Sequence, residues 1–206
     1  MNAKPKNDKA MERRAARLAA VQALYQWEQS GASADTIIKE FAEHRIGKNV
    51  DGIDLPHADI RLFGNLVRGA IATADDLDSM IAGVLTEDWS VDRLESILRA
   101  ILRGGAYELA HRTDIPPKVA ISEYLAVADA FLGDKEITLV NGVLDRLAHL
   151  LRPAEMEQGR GKSNASGQST SSVRPRGCGM YVVRVSSWRF VTPKRGARRR
   201  VASYGG

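Results

Sequence analysis

The spacing of apolar residues between positions 10 and 153 limits the fold of this chain more than any other feature of its sequence. Apolar side chains recur there at intervals of three and four residues, which places them on one face of an α-helix, and no segment of the region alternates as a half-buried strand does. One such series is Leu94, Ile97, Leu98, Ile101 and Leu102. The pattern predicts an all-α fold, a compact bundle of about six or seven helices joined by short connections.

Capping signals predict where the first helices begin and end. The first helix is expected over residues 10–29, with Gly31 as its C-terminal cap, and Ser33 is the expected N-terminal cap of the second helix. The apolar stripe of the first helix is formed by Leu18, Val21 and Tyr25.

Glycines and prolines give further signals in the second half of the region. Ser90 is expected to start a long helix that contains Gly104 and Gly105. Each glycine inside a helix costs roughly 1 kcal/mol relative to Ala, so the pair predicts a close helix crossing where a side chain would not fit. Pro117 suits the first turn of the next helix, and Pro153 is expected to close the helical domain.

Composition divides the chain into three parts. Residues 1–9 are expected to form a flexible basic leader, and residues 10–153 the helical domain. Residues 154–206 are rich in Gly, Ser and Arg, a composition that cannot bury enough apolar surface to offset its ordering entropy. Within this tail, MYVVRVSSWRFV (residues 180–191) has the pattern of one β-strand without a partner. We interpret the tail as a disordered basic segment, either an aberrant or frame-shifted end or a nucleic-acid-binding arm, and expect its removal after Pro153 to leave stability and function intact.

The net charge of +5 hides a division between domain and tail. Up to Pro153 the chain has 19 Lys and Arg against 23 Asp and Glu, a net charge of −4, and the tail has 11 against 2, a net charge of +9. Electrostatic arguments about the helical domain must therefore use local patches, because its total charge is negative.

The sequence gives no positive signal for catalysis, a metal site or a cofactor. Its four histidines lie far apart, and no phosphate-binding loop or dinucleotide fingerprint is present. The single cysteine, Cys178, excludes an internal disulfide framework, and no apolar run has membrane-spanning length. These observations predict a non-enzymatic protein of the reducing cytoplasm without a membrane segment.

A cluster of arginines at the start of the first helix favours anion binding. Arg13, Arg14 and Arg17 occupy a helix end that normally favours acidic residues, and residues 1–18 hold six basic side chains against two acidic ones. One interpretation is a solvated helix end. The other is a phosphate site, because helix-start N–H groups and arginines both attract phosphates. Tyr25 or Trp27 could then stack on unpaired bases, although aromatic residues at helical spacing are usually core.

Four segments, taken in order, resemble the bacterial NusB family of transcription antitermination factors. They are RRAARLAAVQALYQWE, DWSVDRLESILRAILRGGAYEL, DIPPKVAISEYLAVADAF and LVNGVLDRLA. The resemblance covers nearly all of residues 11–153 and implies an all-α fold of two small helical subdomains. It also implies a non-enzymatic role on ribosomal RNA operons, in which the protein binds the single-stranded boxA element jointly with the ribosomal protein NusE and acts with RNA polymerase and the other Nus factors.

The resemblance also assigns site residues by their position in these segments. The family's basic RNA-contacting start falls on Arg13, Arg14 and Arg17. Its helix-one tyrosine falls on Tyr25, and the lysine after the helix-breaking proline falls on Lys118.

One position departs from the family pattern. Family members commonly have an RNA-contacting aromatic residue before the VNGVLD run, and this chain has Leu139 there, near Lys135. Base stacking at Leu139 is therefore lost. The run itself is expected to pack, with a stripe formed by Val140, Val143, Leu144 and Leu147.

Two other classes of function stay open at this point. One is the NusB-like RNA-binding domain of a ribosomal RNA methyltransferase, which would need a further α/β domain that the sequence after Pro153 does not supply. The other is a helical adaptor that binds only protein. The sequence also leaves open whether the free protein is a monomer or a homodimer.

Overall fold

The described part of the chain is built almost entirely of helices. The computed structural model describes residues 6–50, 53–54, 56–86 and 89–158. Its helices are α1 (Lys6–Ser30), α2 (Ala34–His44), α3 (Ile60–Ala72), α4 (Ala74–Ala82), α5 (Ser96–His111), α6 (Pro117–Ala128), α7 (Asp134–Leu151) and α8 (Pro153–Gln158). A 3₁₀ turn (Val91–Arg93) precedes α5, and a two-residue antiparallel pair, β1 (Asn49–Val50) and β2 (Ile53–Asp54), lies between α2 and α3. The all-α prediction is confirmed. Residues 1–5 of the predicted leader and the predicted tail strand lie outside the described residues.

The predicted caps between α1 and α2 are present. Gly31 has a φ of 65°, a conformation that favours glycine, and its N–H donates to the carbonyl of Trp27 at 2.8 Å. The hydroxyl of Ser33 accepts a hydrogen bond from the N–H of Thr36 at 3.2 Å, as expected of an N-terminal cap. Helix α1 begins at Lys6, about one turn earlier than the sequence predicts.

Two predicted helix boundaries are wrong, and in each case tertiary contacts explain the difference. Ser90 leads into a 3₁₀ turn, and the backbone of Leu94 is extended so that its side chain is buried. Helix α5 therefore begins only at Ser96. Pro153 begins α8 instead of closing the domain, because Met156 is buried at 5% exposure.

The helices enclose two apolar cores that share α1. The first core lies between α1, α2 and α3, and its residues are Ala16, Ala19, Ala20, Ala23, Ile37, Phe41, Leu62, Phe63, Leu66 and Val67. The second core is formed mainly by α4 to α8, and α1 contributes Val21 and Leu24 to it. Two cores of this kind match the two helical subdomains that the resemblance implies. Helix α1 is therefore buried on two sides.

The predicted close crossing at Gly104 and Gly105 is confirmed. A Cβ on Gly105 would lie 2.7 Å from Cδ2 of Leu144 in α7, and a Cβ on Gly104 would lie 2.9 Å from Cε1 of Tyr124 in α6. Both distances are shorter than van der Waals contact, so α5 approaches its two neighbours only because these positions lack side chains. Within the described residues, no helix has the length and apolar character needed to cross a bilayer.

Candidate nucleic-acid interface

The N-terminal part of α1 and helix α6 form one edge of the molecule. The guanidinium of Arg14 donates two hydrogen bonds to Glu123 of α6, from Nε at 3.2 Å and from Nη2 at 2.8 Å. Arg13 is exposed, and its positive charge helps to lower the pKa of Asp114, which lies just before α6. Lys118 is exposed in the first turn of α6. The contact of Arg14 with Glu123 thus joins the part of α1 that carries Arg13 and Arg14 to α6, the helix that carries Lys118. All three cations are predicted site residues.

Arg17 follows Arg13 by four residues, a spacing that predicts a shared helix face, but Arg13 is exposed whereas Arg17 is buried. Its side chain is 3% exposed and donates two hydrogen bonds to Glu108 of α5, at 3.0 and 2.5 Å. Burial alone would lower the pKa of Arg17, but the hydrogen bonding and negative charge of Glu108 outweigh burial and raise it. Arg17 therefore holds α1 against α5 and is not placed to contact a phosphate.

Carboxylates neutralise much of the positive charge at the edge. Arg112 donates to both oxygens of Asp114 at 2.8 Å, and these hydrogen bonds are the main reason that the pKa of Asp114 falls to about 2. Glu123 accepts from Arg14 and also lies 3.6 Å from Nη1 of Arg17. The edge is consequently less basic than the count of residues 1–18 suggests.

Tyr25 lies farther along α1 than Arg13 and Arg14, and Leu139 lies in α7. Both are half-buried and pack against the second core, Tyr25 from α1 and Leu139 from α7. Tyr25 follows Arg13 by twelve residues, which is about 18 Å along the axis of α1. Leu139 packs in the same core as Val140 and Val143, in line with the expected stripe.

Sequence reasoning missed the two glutamates that organise the edge, Glu108 and Glu123. Glu108 lies in the middle of a helix among apolar residues, and it is fully buried. A lone acidic residue within an apolar helical run predicts a buried basic partner, because charged side chains are rarely buried unless paired. That signal was available in the sequence, although the sequence does not say which basic residue is the partner.

A second charged cluster lies at the other end of α1. Glu28 accepts from Arg99 and Arg103 of α5, Arg103 also donates to Asp78 of α4, and the Arg103 guanidinium lies over the ring of Trp27. These side chains line a cavity of about 430 Å³. Each arginine there is paired with a carboxylate, so the cluster holds α1, α4 and α5 together. Among the residues that the structure describes, no group of His, Cys, Asp and Glu could hold a metal ion.

Fold and edge together define a small all-α protein with two helical cores, which carries exposed arginines in the N-terminal half of the helix that both cores share. Residues 14–149 match the model of the NusB family, and the chain belongs to that family. This membership confirms the resemblance seen in the sequence.

Shorter relatives carry the same family name, and the match covers more of each relative than of this chain. The transcription antitermination protein NusB of Sinorhizobium medicae (strain WSM419) is 45% identical over 141 residues, which cover 68% of this chain and 88% of the relative. The NusB protein of Rhodopseudomonas palustris (strain BisB18) is 44% identical over 156 residues, covering 75% and 92%. Because the match spans most of each relative, these relatives consist almost entirely of this domain. That observation favours an antitermination factor over a domain of a methyltransferase.

Solved structures of NusB proteins also resemble this chain. T. maritima NusB superposes with a TM-score of 0.57 at 29% identity, covering 70% of this chain and 96% of that one. A crystal structure of the antitermination factors NusB and NusE in complex with dsRNA superposes with a TM-score of 0.55 at 28% identity, covering 66% and 96%.

Proposed function

We propose that this chain is a non-enzymatic transcription antitermination factor that binds the boxA element of nascent ribosomal RNA leaders together with the ribosomal protein NusE. It would act in the bacterial cytoplasm with RNA polymerase and the other Nus factors. The observation that carries the proposal is family membership over residues 14–149, supported by the similarity to a solved complex of NusB, NusE and RNA.

The edge formed by α1 and α6 is the proposed RNA contact. Arg13 and Lys118 are exposed, and each can neutralise one phosphate. Arg14 is exposed as well, and it donates two hydrogen bonds to Glu123. The helical domain is otherwise acidic, with a net charge of −4 up to Pro153. A basic ribosomal protein bound beside this edge would add positive charge and strengthen RNA binding.

The roles of the other predicted residues follow from their positions. We propose that Arg17 supports the edge from below, because it is buried against Glu108. Tyr25 stays a predicted stacking contact for an RNA strand that continues along α1. Leu139 stays a predicted apolar contact with the RNA, since both side chains are partly exposed.

The test is a fluorescence anisotropy titration of labelled RNA with the full chain, with and without NusE. Three RNAs are compared: a single strand carrying a boxA-type element, a scrambled strand of the same composition, and a duplex of the same sequence. The duplex is included because the solved complex contains dsRNA. We expect the boxA strand to bind more tightly than the scrambled strand, and NusE to increase that preference.

A double variant then tests the edge. Arg13→Ala with Lys118→Ala is expected to weaken boxA binding about tenfold and to reduce the slope of log K against log salt by about 1.4, since two phosphate contacts are lost. Lys39→Ala, which removes one exposed charge on α2, is the control and should change neither quantity. Unchanged affinity in the double variant would refute this edge as the RNA contact. If the chain binds NusE but binds none of the three RNAs, it is instead a protein-only adaptor.

A further inference from the structure

Two aromatic side chains stack on one another at the C-terminal end of α5. The rings of Tyr107 and His111 lie one helical turn apart, with 4.7 Å between their centroids and an angle of 19° between their planes. These values are typical of attractive stacking. Tyr107 is the inner member, because it is half-buried and packs against both cores, whereas His111 is exposed. His111 therefore offers an aromatic ring to solvent while a second ring supports it.

Contacts with the backbone hold both rings in place. A Cβ on Gly69 of α3 would collide with the phenol ring of Tyr107, so the ring lies close against α3 only because position 69 lacks a side chain. Nδ1 of His111 lies 3.3 Å from the carbonyl oxygen of Tyr107, and this hydrogen bond restricts rotation of the imidazole. A surface that is ordered in advance loses little side-chain entropy when a ligand binds to it.

Two pairs of contacts show how α1 runs beside α5. Arg17, in the first half of α1, donates to Glu108 of α5. Glu28, near the end of α1, accepts from Arg99, which precedes Glu108 in α5. The two helices are therefore antiparallel, and the N-terminal part of α1 lies beside the C-terminal end of α5.

Arg13 and His111 both lie at that end of the helix pair. Arg13 comes one turn before the first of these contacts in α1, and His111 comes about one turn after it in α5. The pKa of Asp114, three residues after His111, is lowered mainly by Arg112 and in part by the positive charge of Arg13, so Arg13 lies near this turn. A phosphate bound by Arg13 would therefore bring its neighbouring nucleotides close to the ring of His111.

We propose that His111, supported by Tyr107, is a base-stacking residue of the RNA site and takes an unpaired nucleobase next to the phosphate bound by Arg13. This inference rests on the proposed function, because it extends the same edge. Single-stranded RNA is recognised through unpaired bases that stack on aromatic side chains, histidine among them. A base within a duplex already stacks on its neighbours, so this stacked pair favours a single strand.

The test measures dissociation constants of the full chain and of His111→Ala for the boxA strand and the duplex at several salt concentrations. Loss of the ring should weaken binding of the boxA strand about tenfold, the effect of about one stacked base, and should change binding of the duplex less than twofold. The salt slope for the boxA strand should stay the same, whereas loss of one phosphate contact would reduce it by about 0.7.

Two further variants separate stacking from other roles of the side chain. His111→Phe keeps an aromatic face without ring nitrogens, so it should bind the boxA strand within about twofold of the unmodified chain. His149→Ala on α7 is the matched control. Nδ1 of His149 also lies close to the carbonyl oxygen four residues earlier, at 2.9 Å, but its side chain lies against the carboxylate of Asp145. This control should leave both affinities unchanged, and circular dichroism confirms that each variant is folded.

BoxA strands that lack one base at a time identify the base that stacks on His111. At one position, removal of the base should weaken binding to the unmodified chain about tenfold. The same removal should weaken binding to His111→Ala less than twofold, because the contact is already lost. Energies of this kind are not additive when the two groups touch.

The outcomes distinguish this inference from the proposed function. If the unmodified chain shows no preference for the boxA strand over the scrambled strand, the proposed function fails. If the preference is present but His111→Ala binds the boxA strand within twofold of the unmodified chain, the inference is overturned. It is also overturned if His111→Phe binds as weakly as His111→Ala, if the salt slope falls in His111→Ala, or if the effects of every base removal are additive with His111→Ala.

Discussion

At the scale of single residues, the pairing of Arg17 with Glu108 decides what the start of α1 can do. Sequence spacing places Arg17 four residues after Arg13, which predicts a shared face. The structure buries Arg17, because its partner Glu108 lies 91 residues later in the chain and enters the core with it. No local pattern could reveal that pairing. Without a carboxylate at position 108, the side chain of Arg17 would have to stay exposed to water.

Replacement of Glu108 by Ala tests the pair directly. The change removes both hydrogen bonds that Glu108 accepts from the buried Arg17 and leaves only Glu123, 3.6 Å away, as a counter-charge. We expect the free energy of unfolding to fall by about 3–5 kcal/mol. The measurement is equilibrium unfolding in urea monitored by circular dichroism. The matched control is Glu43→Ala on α2, whose exposed side chain should contribute less than about 0.5 kcal/mol.

A double variant shows whether the loss of stability comes from leaving one buried charge unpaired. Arg17→Met with Glu108→Leu replaces both charges by apolar groups, and should cost less than Glu108→Ala alone because no buried charge is left unpaired. A loss below about 1 kcal/mol for Glu108→Ala would contradict the structural role that we assign to Arg17.

At the scale of secondary-structure elements, α1 shows which parts of the fold can be predicted from sequence. Its C-terminal cap at Gly31 and its stripe of Leu18, Val21 and Tyr25 depend on neighbours along the chain, and the sequence predicts them. Its second buried face consists of alanines, which add little to an apolar pattern, so sequence analysis missed it. The helix boundaries at Ser90 and Pro153 were wrong because they depend on the burial of Leu94 and Met156.

The glycine at the crossing of α5 and α7 should be needed for stability. Gly105→Ala places a Cβ 2.7 Å from Cδ2 of Leu144, so the buried Leu144 side chain must shift or α5 and α7 must move apart. We expect a net loss of about 1–3 kcal/mol, since strain in the packed core outweighs the gain of about 1 kcal/mol in helix propensity. The measurement is again urea unfolding.

The same chain provides the matched control for that substitution. Gly142 lies within α7, and a Cβ there would meet nothing within 4 Å. Gly142→Ala should therefore stabilise the protein by up to about 1 kcal/mol. If both substitutions change stability in the same direction, the close crossing of α5 and α7 does not explain the glycine at position 105.

At the scale of the whole molecule, the end of the helical domain is set by packing and not by composition. The composition changes after Pro153, yet α8 continues to Gln158 and buries Met156 in the second core. Arg152, which is 7% exposed, donates to Glu155 at 2.7 and 2.6 Å and to the carbonyl of Ile115 at 2.7 Å. These contacts tie α8 to the loop that precedes α6, and so to the edge that we propose as the RNA contact.

Truncation tests this boundary. A chain that ends at residue 158 keeps every contact described above, and we expect it to unfold at the same urea concentration as the full chain and to bind boxA RNA equally well. A chain that ends at residue 152 loses the burial of Met156 and the partner of Arg152, and we expect it to lose about 2–4 kcal/mol. Removal after Pro153 should have nearly the same effect, in contrast to the expectation from composition.

Point substitutions in the full chain distinguish the loss of side-chain contacts from the loss of length. Met156→Ala should cost about 2 kcal/mol, because it removes a buried side chain at the margin of the core. Leu150→Ala is the control, since Leu150 is 69% exposed and its truncation should stay within about 0.5 kcal/mol. If the chain ending at residue 152 is as stable as the chain ending at residue 158, then α8 contributes nothing to the fold and the domain ends where the composition changes.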